Sequence, residues 1–160
     1  IAFGGTFDMA KLRHIALATD DPEKTAAFYR KAFDFKEVGR VGDPDKPEEG
    51  LAWGIYLSDG TLNMAVLKFK NVDQLGKGLD YVGIHHFGVL CEDLDGTIDT
   101  LDEMGAPCIL KQDENTPDNF YETKFVGPDG VVFDVSEHAW IGAATVEEKE
   151  IDLDELLAAE

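Results

Sequence analysis

Two histidines and one aspartate lie in three separate stretches of alternating apolar residues, where each side chain could bind a metal ion. His14 begins the stretch "HIALATDD", His86 begins "HFGVLCED", and Asp134 lies within "VVFDVSE". The alternation is typical of β-strands, and an aspartate inside a strand is unusual because a buried unpaired carboxylate is costly. Two imidazoles and one carboxylate in equivalent strand positions predict a 2-His-1-carboxylate site, which ferrous iron favours and which manganese, zinc or nickel can also use.

Small residues beside the two histidines indicate space around this site. Side chains alternate along a strand, so Ala16 shares a face with His14 and Gly88 shares a face with His86. Room beside a polar side chain is typical of a cavity rather than of a close-packed core. His85 has the opposite parity, so we predict that it points toward the helices as a capping or surface imidazole and that His86 is the ligand.

The two histidine stretches begin two copies of one pattern. Each runs into an acidic pair and a helical stretch, and each copy ends in a hairpin whose turn is Asp59-Gly60 or Asp129-Gly130. Two copies of a strand, a helix and three strands therefore account for most of the chain. The helices should begin near Asp21 and Asp93. The predicted inward-facing helix residues are Ala26, Phe28, Tyr29, Ala32 and Phe33 in the first copy and Ile98, Leu101 and Met104 in the second.

Charge and composition exclude several classes of partner. The 160 residues carry a formal net charge of −19, which repels nucleic-acid phosphates and anionic lipid. No apolar run approaches the ~20 residues needed to cross a bilayer. Cys91 and Cys108 lack metal-binding or redox spacing, so we expect reduced core thiols in a cytoplasmic protein.

The domain organisation is expected to be simple. Residues 1–9 are interpreted as a leader, either a cloning remnant or an upstream extension. A single domain should cover residues 10–142, with modules at about 10–70 and 82–142. Residues 143–160 form an acidic tail. Its leucines at helical spacing, Leu153, Leu156 and Leu157, favour a short amphipathic helix, and a frayed solvated tail is the alternative.

The chain resembles the vicinal-oxygen-chelate superfamily, which includes glyoxalases, bleomycin-resistance proteins and extradiol dioxygenases. The resemblance rests on "LRHIALATDDPEKTAAFYRKAFDF", "GIHHFGVLCEDLDGTIDTLDEMGA" and "FVGPDGVVFDVSEHAW". It implies an α+β fold in which two βαβββ modules form a half-barrel sheet around a central cavity that holds a metal. It also implies a homodimer and a small-molecule substrate.

The resemblance assigns the same three residues as metal ligands. His14 and His86 match the first-strand ligands, and Asp134 matches the last-strand ligand, where glutamate is usual. Counting from the turn glycines places Met64 at the fourth ligand position, and a thioether is a poor ligand for a hard divalent ion. A three-ligand site is similar to that of the dioxygenases, so Fe(II) is the favoured cofactor, with Zn, Mn, Ni or Co as alternatives.

Four further residues are candidates for catalysis. Tyr121 and Lys124 precede the closing hairpin and could orient a substrate anion, whereas Glu137 or His138 at the strand end could act as a general base. Aromatic residues that either line a substrate pocket or complete the core are Trp53, Tyr56 and Phe120.

The sequence therefore leads to one favoured function and two alternatives. The favoured function is a metal-dependent small-molecule enzyme with an extradiol-dioxygenase-like site. The first alternative is a glyoxalase-like or epimerase-like isomerase or lyase, which would turn over without consuming oxygen. The second is a metal-free protein that binds a drug or metabolite, as bleomycin-resistance members do.

Overall fold

The computed structural model describes residues 9–46, 50–70, 76–111 and 122–159. They contain eight strands, three α-helices and a short 3-10 turn. The strands are β1 (Ala10–Ala18), β2 (Lys36–Val41), β3 (Ala52–Ser58), β4 (Asn63–Phe69), β5 (Gly83–Cys91), β6 (Cys108–Leu110), β7 (Thr123–Val126) and β8 (Val132–Ser136). The helices are α1 (Pro22–Phe33), α2 (Leu94–Glu103) and α3 (Leu153–Ala158). None of these helices is long and apolar enough to cross a membrane.

All eight strands belong to one sheet with the order β2-β3-β4-β1-β5-β8-β7-β6. Strands β1 to β4 with α1 form the first module, and β5 to β8 with α2 form the second. The first strands of the modules, β1 and β5, pair antiparallel at the centre of the sheet, and each pairs in parallel with the last strand of its own module. The outer strands β2 and β6 are not neighbours, so the sheet stays open, as expected of a half-barrel.

The two module helices begin where the sequence predicts. The side chains of Asp21 and Asp93 cap them by accepting hydrogen bonds from the backbone N–H groups of Lys24 and Gly96. Ala26 packs against β3 and β4, while Ile98 and Leu101 pack against β8 and its neighbours.

The sequence prediction assigns too many residues to the inward-facing side of each module helix. Phe28 and Phe33 are 62% and 60% exposed, and Met104 is 68% exposed. Each helix covers only part of a module, so a narrower stripe of side chains reaches the sheet. Cys108 is also exposed, because β6 is a three-residue edge strand, whereas Cys91 is buried as predicted.

The chain after β8 returns across the first module instead of fraying. The guanidinium group of Arg13, which is buried, donates to the carbonyl oxygens of Ala144, Thr145 and Glu148 at 3.1–3.4 Å. The hydroxyl of Ser58 donates to the Gly142 carbonyl at 2.6 Å. These bonds fix residues 137–152, which we call the C-terminal segment, over the face of the sheet that bears His14. The leucine spacing of the tail forms α3 beyond it.

Candidate metal centre

The three predicted ligands come together at the centre of the sheet. His14 on β1, His86 on β5 and Asp134 on β8 offer ligand atoms that all lie within 4.8 Å of one another. Nε2 of His86 lies 3.3 Å from Nε2 of His14 and 3.3 Å from Oδ2 of Asp134. All three side chains are buried, with at most 5% of their surface exposed. Sequence positions 120 residues apart therefore converge because β1 and β5 pair at the module junction and β8 lies beside β5.

The tautomer of His14 is set by Asn63, which β4 places directly beside it. The amide nitrogen of Asn63 donates to the Ile141 carbonyl at 2.8 Å, so its Oδ1 is the acceptor for Nδ1–H of His14, also at 2.8 Å. The proton on Nδ1 leaves the lone pair of Nε2 directed at His86 and the site. Orientation of a ligand histidine by a hydrogen bond to its other nitrogen is typical of metal sites.

His85 lies on the same side as His86, contrary to the parity prediction. The pairing of β5 with β1 shifts register between Ala16 and Leu17, which face His86 and Ile84, so His85 is an extra residue in a β-bulge. It is 6% exposed, and its ring stacks on Phe69 with centroids 4.0 Å apart. Its Nδ1 lies 3.0 Å from Nδ1 of His86, so it can orient the ligand histidine. The prediction that His85 is a capping or surface imidazole is wrong because simple alternation fails at a bulge.

Asp134 is paired with Lys124, which β7 places opposite it. Nζ of Lys124 lies 2.5 Å from Oδ2 of Asp134 and 2.9 Å from Oε2 of Glu122. Lys124 is 2% exposed and Asp134 is fully buried. The other carboxylate oxygen, Oδ1 of Asp134, is buried and has no hydrogen-bond partner among the described residues. An orphaned buried acceptor of this kind requires an explanation, and a bound cation would supply one.

The electrostatics favour the neutral form of His85 and His86 and the ionised form of Asp134. Burial, together with the positive charge of Lys124, lowers the pKa of His86 to about 4. Burial and the neighbouring His86 lower the pKa of His85 to about 3. Burial by itself raises the pKa of Asp134, but Lys124 and the histidines outweigh it and hold the pKa below its usual range. Burial also opposes the charge on Lys124, yet Asp134 and Glu122 raise its pKa overall.

These residues fit a divalent cation. The ligand atoms converge, and His14 already directs a lone pair at the site. With neutral histidines, the charges of Lys124, Asp134 and Glu122 sum to one negative charge, which a dication would more than neutralise. Neutral imidazole and carboxylate are ligands that iron, manganese, zinc and nickel accept.

The fourth ligand position is occupied by Ala65 and not by Met64. Ala65 pairs with Ala16 in the first module, as Asp134 pairs with Gly88 in the second. Met64 lies on the opposite face and packs into the core under α1. Counting from the turn glycines fails because the two hairpins differ: the second contains a 3-10 turn. The expectation that the fourth position supplies no ligand holds, since alanine has no donor atom.

Trp140 from the C-terminal segment fills the space beside the histidines. Its ring stacks on His14 with centroids 5.0 Å apart and planes 6° apart, and its Nε1 donates to Oε1 of Glu122 at 2.6 Å. A Cβ atom on Gly88 would lie 2.7 Å from Trp140 and 2.4 Å from Oδ1 of Asp134. The room that the small residues predict is therefore real, but it is used to seat an aromatic ring.

The remaining candidates are placed differently. Tyr121 and Phe120 lie outside the described residues. Glu137 is exposed, with His138 3.9 Å from its carboxylate, and it lines a surface cavity of about 370 Å³ that none of the three ligands lines. Tyr56 belongs to an apolar cluster beside the site with Ala16, Ala65 and Phe69, whereas Trp53 alternates to the other face of β3.

Sequence reasoning missed three residues that contact the predicted ligands or their partners. Asn63 is a polar residue on the site face of β4, which strand parity relative to His14 could have revealed. Glu122, which directly precedes β7, contacts Lys124, and the spacing of two residues is compatible with a shared face. Trp140 lies beyond the last strand, and nothing in the local sequence indicates its return to His14.

Comparison with known proteins identifies the family. Residues 11–135 match the model of the glyoxalase/bleomycin resistance protein/dioxygenase superfamily. The chain belongs to this superfamily. A search of curated proteins by sequence found no significant match.

Solved structures with a fold similar to that of this chain include methylmalonyl-CoA epimerases. A variant of the Streptomyces coelicolor enzyme in complex with 2-nitronate-propionyl-CoA has 18% identity and a TM-score of 0.64, over 84% of this chain and 98% of that chain. The Mycobacterium tuberculosis epimerase has 15% identity and a TM-score of 0.63, over 86% and 95%. A hypothetical protein from Bacillus halodurans C-125 has 18% identity and a TM-score of 0.63, over 82% and 96%. At such identities the likeness concerns the fold alone.

Proposed function

We propose that the chain is a metal-dependent enzyme that binds a small substrate through adjacent oxygen atoms at His14, His86 and Asp134. The observation that carries the proposal is the convergence of three buried ligand-type side chains within 4.8 Å. Burying two imidazoles and a carboxylate together is costly unless they are paired or bind a metal. An apolar core would be cheaper to build at this position, so we attribute the cluster to function.

Within this class we favour a ring-cleaving dioxygenase-like reaction at ferrous iron. The support is the three-ligand set, in which Ala65 offers no fourth ligand. Two histidines and one carboxylate are the ligand set of non-haem Fe(II) oxygenases. When bound, the metal would supply Lewis-acid activation of the substrate oxygens.

The residues of the chain have distinct proposed roles around that centre. Asn63 and His85 hold the two histidines in the orientation that presents Nε2. Lys124 can donate a hydrogen bond to an anionic substrate oxygen. Trp140 excludes water from the His14 side. Further proposals are that Tyr121 helps to orient the substrate and that Glu137 acts as general base.

Metal analysis tests the proposal first. Protein without a histidine tag is purified anaerobically, and the iron content of wild type is compared with that of His86→Gln. His138→Gln, which changes an exposed histidine, is the matched control. About one iron per chain in wild type and in the control, but none in His86→Gln, supports the site. Oxygen uptake with a panel of catechols then tests the reaction, and iron-loaded protein that consumes no oxygen with any of them counts against the dioxygenase.

A second candidate is an isomerase or lyase that moves a proton next to a carbonyl group. Two observations favour it: Lys124 and Glu122 place proton-carrying groups at the site, and several fold neighbours are epimerases of a CoA thioester. This candidate predicts zinc, manganese, nickel or cobalt and turnover without oxygen. Metal-loaded protein is incubated with enolisable acyl thioesters in deuterated water, and incorporation of deuterium at the α-carbon, lost in His86→Gln, would favour it over the dioxygenase.

Metal-free protein would point to a third function. If neither purified nor reconstituted wild type holds a metal, the superfamily's drug-binding or metabolite-binding members become the better comparison. A homodimer also stays a proposal, and sedimentation velocity of the full chain tests it directly.

A further inference from the structure

Lys124 occupies a position that matters for metal binding, because it contacts the only carboxylate among the proposed ligands. Its ammonium group lies 2.5 Å from Oδ2 of Asp134. The same oxygen faces Nε2 of His86 at 3.3 Å, whereas Oδ1 is directed at Gly88, where an added Cβ would lie 2.4 Å away. Oδ2 is therefore the oxygen that faces the ligand-type nitrogen of His86, and Lys124 already uses it, whereas Oδ1 has no partner among the described residues.

Lys124 also has a second partner, Glu122, with which it can remain paired. Oε2 of Glu122 lies 2.9 Å from Nζ, and the Glu122 side chain is 18% exposed. The second carboxylate oxygen of Glu122 accepts from Trp140, which fixes the carboxylate in place. If a metal took Asp134, Lys124 would remain paired with Glu122 and would not become an isolated buried charge, which would be very costly.

We propose that Lys124 is the resident counter-ion of Asp134 in the metal-free protein and competes with the divalent metal for it. This inference rests on the metal site proposed above. The ammonium group holds Asp134 ionised and in position before metal arrives. It also lowers the affinity for the metal, because the dication must displace or tolerate a positive charge at the same carboxylate. Lys124 is thus a positioning residue that sets how tightly the site binds its metal.

Substitution of Lys124 and substitution of its partner Glu122 should change the metal affinity in opposite directions. Lys124→Met removes the competing charge and should tighten binding of Co²⁺ by about tenfold or more. Glu122→Gln removes the alternative partner, so Lys124 pairs more strongly with Asp134 and Co²⁺ binding should weaken, by about threefold or more. Lys36→Met is the matched control, since it removes one lysine charge from an exposed pair with Asp34 and leaves the site unchanged.

The experiment is a titration of each metal-free protein with Co²⁺ alone, followed by calorimetry and by visible absorption. Tighter binding in Lys124→Met, weaker binding in Glu122→Gln and no change in Lys36→Met support the inference. Equal or weaker binding in Lys124→Met, with wild-type binding intact, overturns it while leaving the metal site standing. No binding by wild type, Lys124→Met or Glu122→Gln overturns both the inference and the proposed function.

Folding of Lys124→Met has to be monitored, because the substitution leaves Asp134 buried without its cation. Thermal unfolding is therefore measured with and without Co²⁺. The inference expects a lower Tm without metal and a larger metal-induced rise in Tm than in wild type. If Lys124→Met does not fold even with Co²⁺, Glu122→Gln alone decides, and unchanged or tighter binding in that variant overturns the inference.

Discussion

The two modules share one fold but contribute different chemistry to the site. Each supplies a histidine from its first strand. At the matching position of the last strand, the second module has Asp134 and the first has Ala65. The second module also supplies Lys124 to pair with its carboxylate. All the formal charge of the site therefore comes from one module, and the structural repeat is not a chemical repeat.

The orientation of the histidines differs in the same way. In the first module a strand neighbour, Asn63, accepts from His14, and in the second a bulge residue, His85, contacts His86. The ring of Trp140 then stacks on His14. The comparison teaches that the pairing of the strands fixes where the histidines meet, while residues outside the repeated pattern decide how each ring is held.

The largest effect is expected from a substitution that removes the charge distinguishing the second module. Asp134→Asn keeps the shape of the side chain but takes away the anionic ligand, so bound metal should fall to background in anaerobically purified protein. Asp129→Asn, an exposed acid in the turn of the same module, is the control for net charge. Wild-type metal content in Asp134→Asn would show that the module difference does not concern metal binding.

The next effect is on the partners that orient the histidines. Asn63→Leu and His85→Phe should each weaken Co²⁺ binding by about 10- to 100-fold, because each leaves a ligand ring without its orienting hydrogen bond. His85→Phe retains an aromatic ring to stack on Phe69. Ser58→Ala is the control for Asn63→Leu, since it also removes a bond to the C-terminal segment but touches no histidine. Equal weakening in Asn63→Leu and Ser58→Ala would assign the effect to the segment.

The convergence of His14, His86 and Asp134 and the repeat could be predicted from sequence because they depend on local patterns. Alternation in β1, β5 and β8 identified the faces of His14, His86 and Asp134, and the capping aspartates Asp21 and Asp93 located the helices. Each of these features is decided within a few residues of chain.

The features that sequence did not reveal depend on long-range register. His85 faces the site because of a bulge opposite Ala16 and Leu17, and one extra residue reverses parity. The contact between Trp140 and His14 joins residues that are far apart in the sequence. It depends on the hydrogen bonds that hold the C-terminal segment to Arg13. Neither can be found from local alternation.

The small residues beside the histidines give a test of packing in the two modules. Gly88→Ala would place a methyl group against Asp134 and Trp140, so the free energy of unfolding should fall by about 1–3 kcal/mol. The reverse change at the matching position, Ala16→Gly, should cost about 1 kcal/mol through backbone freedom and lost contact. Urea unfolding measures both. Gly130→Ala is unsuitable as a control because its positive φ adds strain, whereas Gly127→Ala, at a turn without positive φ, is a suitable one. If the free energy of unfolding falls no more in Gly88→Ala than in Gly127→Ala, the result would contradict tight packing at Gly88.

The smallest expected effect is a loss of stability in acid that involves the second module's histidine pair. The pKa values of His85 and His86 are about 3 and about 4 in the folded protein, against an ordinary value of 6.5. The unfolded chain therefore binds more protons between pH 6.5 and about 4, and stability must fall as the pH drops through that window. For His86 the loss between pH 7 and pH 5.5 should be about 1 kcal/mol. Urea unfolding of metal-free wild type and His85→Phe at the two pH values measures the slope. The variant should lose less stability on acidification, because it lacks one of the two protons taken up on unfolding, and identical slopes would mean that His85 is not held neutral by its burial.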